Sequence, residues 1–351
     1  SGVPVVFMSI AKALHKNITF DIIVLKDNDM YFEKEFLSLG GKVYRFNCPK
    51  PENPLKKIGW LLGKYPQAVR KFLGENINLK EYIAIHSFHE QFSYPFFKEA
   101  KKAGLKSIIL HICSAGSAYP SKKTFNQRIV NWYQKKAKRC CSNLVFVSQR
   151  SMQYNNYKRK GVVLYNSYDK DKFGKIIESS HKNLVLTQIG TFSSRKNQLF
   201  SLEVIKAIKN RGQKVLLNIV GQELDPGYLE KMHAYIRENN LSDCVKFLEP
   251  KTDRIELNKS TSFIIYPSTL ESFGLVLIES QASGIHCFAN EALPHDADMG
   301  NIDFLELNAA LWASRIIGYF AQHGNVRKKP LNCERFSNTQ FIDVLRELYK
   351  Y

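Results

Sequence analysis

The sequence predicts an α/β protein built from two doubly wound parallel-sheet domains. Strand-sized apolar runs alternate with helix-length segments nearly throughout, the pattern of parallel sheets covered by helices on both faces. The length, 351 residues with 44% hydrophobic and 12% aromatic content, is enough for two cores of ordinary size. No internal repeat or low-complexity segment competes with that reading.

In chain order, Ser1-Gly2-Val3-Pro4 and the amphipathic run from Val5 to His15 read as the loop and helix that follow a first strand. The natural chain is therefore expected to supply a strand of about 5–8 residues upstream. Strands are predicted over Phe20–Leu25, Val43–Phe46, Ile83–His86, Ser107–His111, Asn143–Val147 and Val162–Tyr165, with a helix over Gln91–Ala103 and a surface loop over Cys48–Pro54. The second half repeats the alternation. Its strands are Leu184–Ile189, Lys214–Val220, Val245–Leu248, Phe263–Tyr266 and His286–Ala289, separated by helices Gln198–Lys209, Pro226–Asn239 and Leu275–Ser283. The domain division follows: 1–166, then 167–335, with 336–351 a helix available to pack back on the first domain.

No run of eighteen or more apolar residues occurs, so no membrane-spanning helix is expected, and nothing in the opening residues leads us to expect export. Seven cysteines without CxxC or Cys/His ligand spacing read as reduced cytosolic thiols, the adjacent Cys140 and Cys141 as local packing. Charge separates the halves: residues 1–166 hold 28 Lys and Arg against 10 Asp and Glu, residues 167–351 hold 23 against 22. Nearly all of the net +19 thus sits in the first half. Between Ala100 and Tyr168 fourteen basic residues occur with no acidic one, interleaved with Phe125, Trp132, Tyr133, Tyr154 and Tyr157. An anionic membrane surface, a nucleic acid and a solvated face without a partner are the readings open to such a stretch.

Chemistry concentrates in the second half. The segment from Phe263 to Gly284 reads as strand, tight turn and helix, with Ser272 or the adjacent turn as cap and free N–H groups at Phe273, Gly274 and Leu275. Such a helix start is a phosphate cradle, and Gly274 lets a ligand approach the backbone. Glu271 and Glu279, two helical turns apart, are acceptor-only groups suited to sugar hydroxyls. A second strand, loop and helix start runs from Gln188 to Leu199, where Gly190 permits a sharp exit and Arg195 and Lys196 can meet a pyrophosphate. In the first half His86, His89 and His111 fall at or just after strand ends, where an imidazole can bind a substrate or carry a proton. No His/carboxylate cluster is evident, so no metal or other cofactor is expected.

These residues resemble retaining glycosyltransferases of family 4, with the GT-B fold of two Rossmann-like domains facing a cleft. The resemblance spans the chain: Glu271 to Glu279, Ser283-Gly284, the Gly190 to Lys196 loop, Asn166-Ser-Tyr-Asp169 before Phe173, and Asp303 to Leu307 leading to Trp312. Bacterial capsule and exopolysaccharide transferases are most alike, their opening helix following a segment like Ser1-Gly2-Val3. The resemblance implies that Gly2 approaches the donor phosphates, that Lys196 binds the pyrophosphate, and that Glu271 holds the donor sugar beside Phe273 to Leu275. It also implies that Glu279 takes the ribose and that the nucleobase sits near Leu248 to Lys251. Three departures stand out. Thr191 replaces an Arg after the glycine, Ser167 replaces a hinge Gly, and His111-Ile-Cys113 puts Cys113 where the family places its histidine. His111 is accordingly expected as the catalytic imidazole, with His86 and Cys113 on the acceptor side.

The expected activity is retaining, metal-independent transfer of a sugar from a nucleotide sugar, a UDP-sugar above others, to a lipid-linked or oligosaccharide acceptor in surface polysaccharide synthesis. The enzyme is expected on the cytoplasmic face of the cell membrane, docked through its basic first domain and binding no nucleic acid. A GT-B-like sugar-nucleotide epimerase, a soluble-acceptor transferase and, from another class, a nucleic-acid-binding protein are the alternatives.

Overall fold

A computed structural model of the protein describes residues 3–25, 32–114, 125–155, 161–179, 182–336 and 338–349. It divides into two compact units, Ser1–Asn166 with Asn338–Tyr351, and Ser167–Ser337.

In the first unit, α1 (Val3–Leu14) buries Val6, Ile10 and Leu14, spaced at helical intervals along one face. Then come β1 (Ile22–Val24), α2 (Glu33–Ser38), β2 (Val43–Arg45) and α3 (Pro54–Gly59), which runs through a π turn (Trp60–Lys64) into α4 (Tyr65–Asn76). The unit continues with β3 (Ala84–Ser87), α5 (Ser93–Lys102), β4 (Ser107–Ile112), α6 (Phe125–Cys140), β5 (Asn143–Phe146), α7 (Gln149–Asn155) and β6 (Val162–Val163). Every ladder is parallel, as apolar runs joined by helices require. The strands form two sheets, β1-β2 and β3-β4-β5-β6. That differs from the single sheet expected of this half. Among the described residues no ladder joins β1 to β3; the Tyr82 hydroxyl donating to Asp21 spans them instead.

The second unit comprises α8 (Lys170–Phe173), β7 (Val185–Ile189), α9 (Gln198–Lys209), β8 (Leu216–Val220), α10 (Tyr228–Glu238), β9 (Val245–Leu248), α11 (Arg254–Lys259), β10 (Phe263–Tyr266), α12 (Leu275–Ala282), β11 (His286–Asn290), β12 (Ile302–Leu305) and α13 (Ala309–His323). Its six strands lie in the order β12-β11-β10-β7-β8-β9, all parallel. The order of succession reverses between β7 and β10, whose register aligns Phe263 with Leu186. A ligand crevice at the carboxyl ends of the strands is characteristic of such a switch point. Leu186, Ile219, Phe263, Phe288 and Trp312 lie in the core of this unit.

The last helix, α14 (Asn338–Tyr349), belongs to the first unit and packs on α1 and β4. The Tyr349 ring lies 5.9 Å from Phe20 and its hydroxyl 2.6 Å from His86 Nδ1, while Ser107 Oγ donates to the Leu348 carbonyl. Strand β12 is an element that the reading of the second half lacked. Asp303 within it and Glu306 directly after it dilute the apolar signal, as expected of an edge strand paired on one side. No helix among the described residues is long and apolar enough to cross a membrane.

Candidate active site

The two loops at the switch point of the second unit are tied together by their main chains. Strand β10 is buried throughout and ends at Pro267, which cannot extend a ladder. Thr269 N–H then donates to the Arg195 carbonyl at 2.9 Å. From the other side, Gln188 Nε2 donates to the Lys196 carbonyl at 2.7 Å, and its Oε1 accepts from Ser201 Oγ of α9 at 2.7 Å. Asn197 enters α9 in the left-handed region, φ 57°. A short polar side chain tolerates that conformation best after glycine.

This frame aims Lys196 across the crevice. Its stem lies over Gly190, where an added Cβ would come 3.2 Å from Lys196 Cε, so the glycine leaves the lysine its path. Nζ forms an ion pair with Glu271, donates to the Tyr266 hydroxyl at 3.2 Å and stands 5.1 Å from the centre of that ring. Burial disfavours the ammonium, but Tyr266 and Glu271 outweigh it and raise the lysine above its usual range. Lys196 therefore stays a cation. Tyr266, fully buried, is pushed up to about 12, by burial first and then by Glu271, and remains a neutral donor or acceptor.

Helix α12 begins one step beyond. Gly274, at φ 107° in the left-handed region, occupies the cap position and no side chain caps the helix. Of the two caps that the sequence allowed, the adjacent turn serves, through Gly274, and Ser272 does not. A left-handed glycine turns the chain into the helix without a capping hydroxyl. The N–H groups of Gly274, Leu275 and Val276 meet no acceptor among the described residues, and the first helical bonds run from Leu277 and Ile278 back to the Gly274 carbonyl. Free amides at a helix start attract an anion. Phe273 is buried, its ring 5.7 Å from Phe336.

On the same helix Glu279 is separately paired. Arg254 Nη2 lies 3.1 Å from Glu279 Oε2, with the two side chains 19% and 14% exposed. Burial raises the Glu279 carboxyl above its usual range, with Arg254 and Lys172 opposing. Leu248 is half-buried at the end of β9, and its carbonyl accepts from Gly221 N–H. Thr191 is half-buried and its carbonyl accepts from Gln198 Nε2, whereas the Arg195 side chain is exposed.

The first-unit candidates lie in a different setting. His86 of β3 and His111 of β4 stack at 5.4 Å, and Phe88 lies 4.7 Å and 4.9 Å from them. His111 has no exposed surface and neither ring nitrogen has a partner among the described residues; burial lowers it to about 3, so it is neutral. His86 is lowered too, by burial first and then by His111. Cys113, just past β4, is half-buried, and burial with Glu90 nearby pushes its thiol up to about 12. Glu90 accepts from Ser114 Oγ at 2.8 Å and pairs with Lys138 at 3.2 Å. Gly2 lies outside the described residues.

Three participants escaped the sequence reading. Gly221 is one: a Cβ there would come 2.0 Å from the Gly190 carbonyl oxygen. A glycine directly after the apolar run Leu216–Val220 repeats the pattern of Gly190 after β7, and that signal was available. Tyr266 lies inside the strand predicted over Phe263–Tyr266, and Arg254 falls in no predicted element or motif. Among the described residues no group of three or more His, Cys, Asp and Glu side chains forms a metal-binding set.

Residues 169–295 match the family model described as glycosyl transferases group 1. The chain is similar to EpsF of Bacillus subtilis (strain 168), a protein bearing a glycosyltransferase name, at 23% identity over 90% of this chain and 83% of EpsF. It is similar also to the capsular polysaccharide biosynthesis glycosyltransferase CapH of Staphylococcus aureus, 24% identical over 55% of this chain and 54% of CapH. Among solved structures, Anabaena HepE in complex with UDP and glucose superposes with a TM-score of 0.76 at 18% identity, covering 100% of this chain and 96% of HepE. The fold is GT-B.

Proposed function

With residues 169–295 a glycosyl transferases group 1 segment on a GT-B fold, we propose that the protein transfers a sugar from a UDP-sugar to a lipid-linked saccharide in surface polysaccharide synthesis, with retention of anomeric configuration. One observation carries the donor site: Lys196 and Glu271, from separate loops, meet beside the free amides of Gly274 to Val276. A diphosphate needs a cation and amide donors, and a sugar needs a carboxylate. The loop before α9 supplies the cation, and the turn before α12 supplies the carboxylate and the amides.

In this reading the diphosphate oxygens take the amides at the start of α12 and the Lys196 ammonium, with the exposed Arg195 as a second cation where Thr191 stands. Glu271 exchanges Lys196 for hydroxyls of the donor sugar, and Glu279 takes the ribose, with the base beside Leu248. As the sugar–oxygen bond breaks, negative charge grows on the nucleotide phosphate, and a fixed cation stabilises that charge more in a crevice than in water. The acceptor hydroxyl attacks from the face the nucleotide leaves and gives its proton to the departing phosphate oxygen. Neither a covalent enzyme intermediate nor a metal is used. The similarity to CapH by name, and to HepE by a structure holding UDP and glucose, supports the substrate class.

The acceptor part of the proposal rests on α6. Arg128, Trp132, Lys135 and Arg139 follow one another at helical spacing and are all exposed, Trp132 at 42%, with Lys136 Nζ 5.3 Å from the indole centre. Cations around an exposed indole suit the headgroup level of an anionic bilayer, so the enzyme works at the cytoplasmic membrane face. The basic segments at 115–124 and 156–160 lie outside the described residues.

A donor screen tests the centre of the reading. Thermal unfolding with UDP-, GDP- and ADP-sugars should single out UDP-sugars, since a bound donor stabilises the folded state by mass action. No shift with any nucleotide sugar would refute the proposed donor site.

A further inference from the structure

Arg254 stands between the two places that the donor reading gives to the nucleoside. It follows the loop that leaves β9 at Leu248 and it is the first residue of α11, where Asp253 Oδ1 accepts from the N–H groups of Ile255 at 2.8 Å and Glu256 at 3.0 Å. That cap fixes the backbone from which the arginine springs. The guanidinium lies 5.9 Å from the centre of the buried Phe173 ring, and Nη2 lies 3.1 Å from Glu279 Oε2. Phe173 belongs to α8, Arg254 to α11 and Glu279 to α12, so three elements converge on one guanidinium.

Two features are unusual for a purely structural ion pair. Nε and Nη2 of Arg254 are buried and neither makes an aligned hydrogen bond, although Nη2 is at ion-pair distance from Glu279. Buried donors without acceptors cost free energy, so such a group in a ligand crevice is one whose bonds are completed by a ligand or by a shift of its partner. On the other side, Glu279 Oε1 accepts no hydrogen bond among the described residues. A carboxylate held at one oxygen and open at the other is set to accept from a hydroxyl.

We propose that Arg254 is a positioning residue for the ribose of the donor nucleotide: it fixes Glu279 through Oε2, leaves Oε1 for a ribose hydroxyl, and so makes the site prefer ribonucleotides to 2′-deoxyribonucleotides. The inference rests on the donor-site reading of Glu279. A glutamate without its arginine would be free to turn or to take up a proton, and either change removes the charged acceptor. A hydrogen bond to a charged group is worth about tenfold or more in affinity.

Calorimetric titration of the full chain with UDP, GDP and ADP identifies the tightest ligand, which is then compared with its 2′-deoxy form. The wild type should prefer the ribose form about tenfold. Glu279→Gln and Arg254→Met should each bring the ratio near one, Arg254→Lys should restore most of it, and Arg254→Met with Glu279→Gln should lose no more than either alone. Unfolding temperatures without ligand establish that each variant is folded; should Arg254→Met not fold, Arg254→Gln takes its place. If Glu279→Gln abolishes the preference while the Arg254 variant keeps it, Arg254 has no such role. If the wild type binds none of the three diphosphates, or Glu279→Gln keeps the preference, the donor-site reading falls and the inference with it.

Discussion

On the proposed function Lys196 has two tasks that conflict in charge: its ammonium is paired with Glu271 in the structure, and under that proposal it faces the phosphates once a donor is bound. The pair keeps each charge satisfied in a crevice where both side chains are less than 15% exposed, at 14% and 12%. Lys196→Ala should therefore cut transfer by at least about 100-fold with the far-ultraviolet spectrum unchanged, since it deletes the cation that the proposal sets against the leaving group. Glu271→Gln should do likewise through the donor sugar; full transfer by either variant would contradict the assignment. His111 allows a prediction about stability instead. Its folded-state value near 3 lies below the unfolded value near 6.5, so below pH 6.5 the unfolded chain takes up a proton that the folded chain refuses. Stability is complete above pH 6.5 and falls as the pH drops, by about 2 kcal/mol between pH 6.5 and 5 for this one group. His86, stacked against it, acts in the same direction. Urea unfolding at both pH values measures the slope, and His111→Phe should flatten it.

At the scale of elements, glycine positions decide how close the two loops can come. Gly221→Ala would place a Cβ 2.0 Å from the Gly190 carbonyl oxygen, and backbone cannot step aside as a flexible side chain can. We expect a loss of about 1–3 kcal/mol in the second unit and weakened donor binding, read by thermal unfolding with and without UDP. The sequence made much of this unit legible. Helix α9 and strands β9 and β10 fall at the positions predicted, because long apolar runs bounded by turn residues leave little choice of period. Lys196 and Glu271 could be named because each follows a strand by a short loop. What could not be read was pairing: nothing in the spacing says that Lys196 takes Glu271 while Arg254 takes Glu279. The choice between Ser272 and the adjacent turn as cap stayed open for a related reason, since the left-handed Gly274 decides it only once the backbone path is known. The first half was harder to read. Its β1, β2 and β6 have three, three and two residues, shorter than the apolar runs that suggested them.

For the whole molecule the governing quantity is the uneven charge. A net +18 on residues 1–166, from 28 basic and 10 acidic side chains, implies long-range attraction to any polyanion, so attraction alone does not choose a partner. In the proposed reading the exposed indole on α6 favours a bilayer, because a ring adds apolar insertion that duplex phosphates do not reward. Sedimentation with phosphatidylglycerol-containing vesicles should retain the protein at moderate salt, while Trp132→Ser should weaken retention severalfold with the charge unchanged. Retention by duplex DNA alone would overturn the membrane reading. A chelator should leave the rate of transfer unaltered, and a strict demand for Mg²⁺ or Mn²⁺ would contradict the use of protein cations.

Helix α14 gives the chain an unequal anatomy. Residues 167–337 are an insertion between the two parts of the first unit, which is completed by the last fourteen residues, 338–351. Shortening the protein from its C-terminus therefore wounds the portion nearest its N-terminus: Tyr349 is lost from His86, and Leu348 from Ser107. Removing 338–351 should make the first unit sensitive to protease while nucleotide binding by the inserted one persists. During synthesis the order is the same. The second unit can finish folding while the first, most of which leaves the ribosome earlier, still waits for α14.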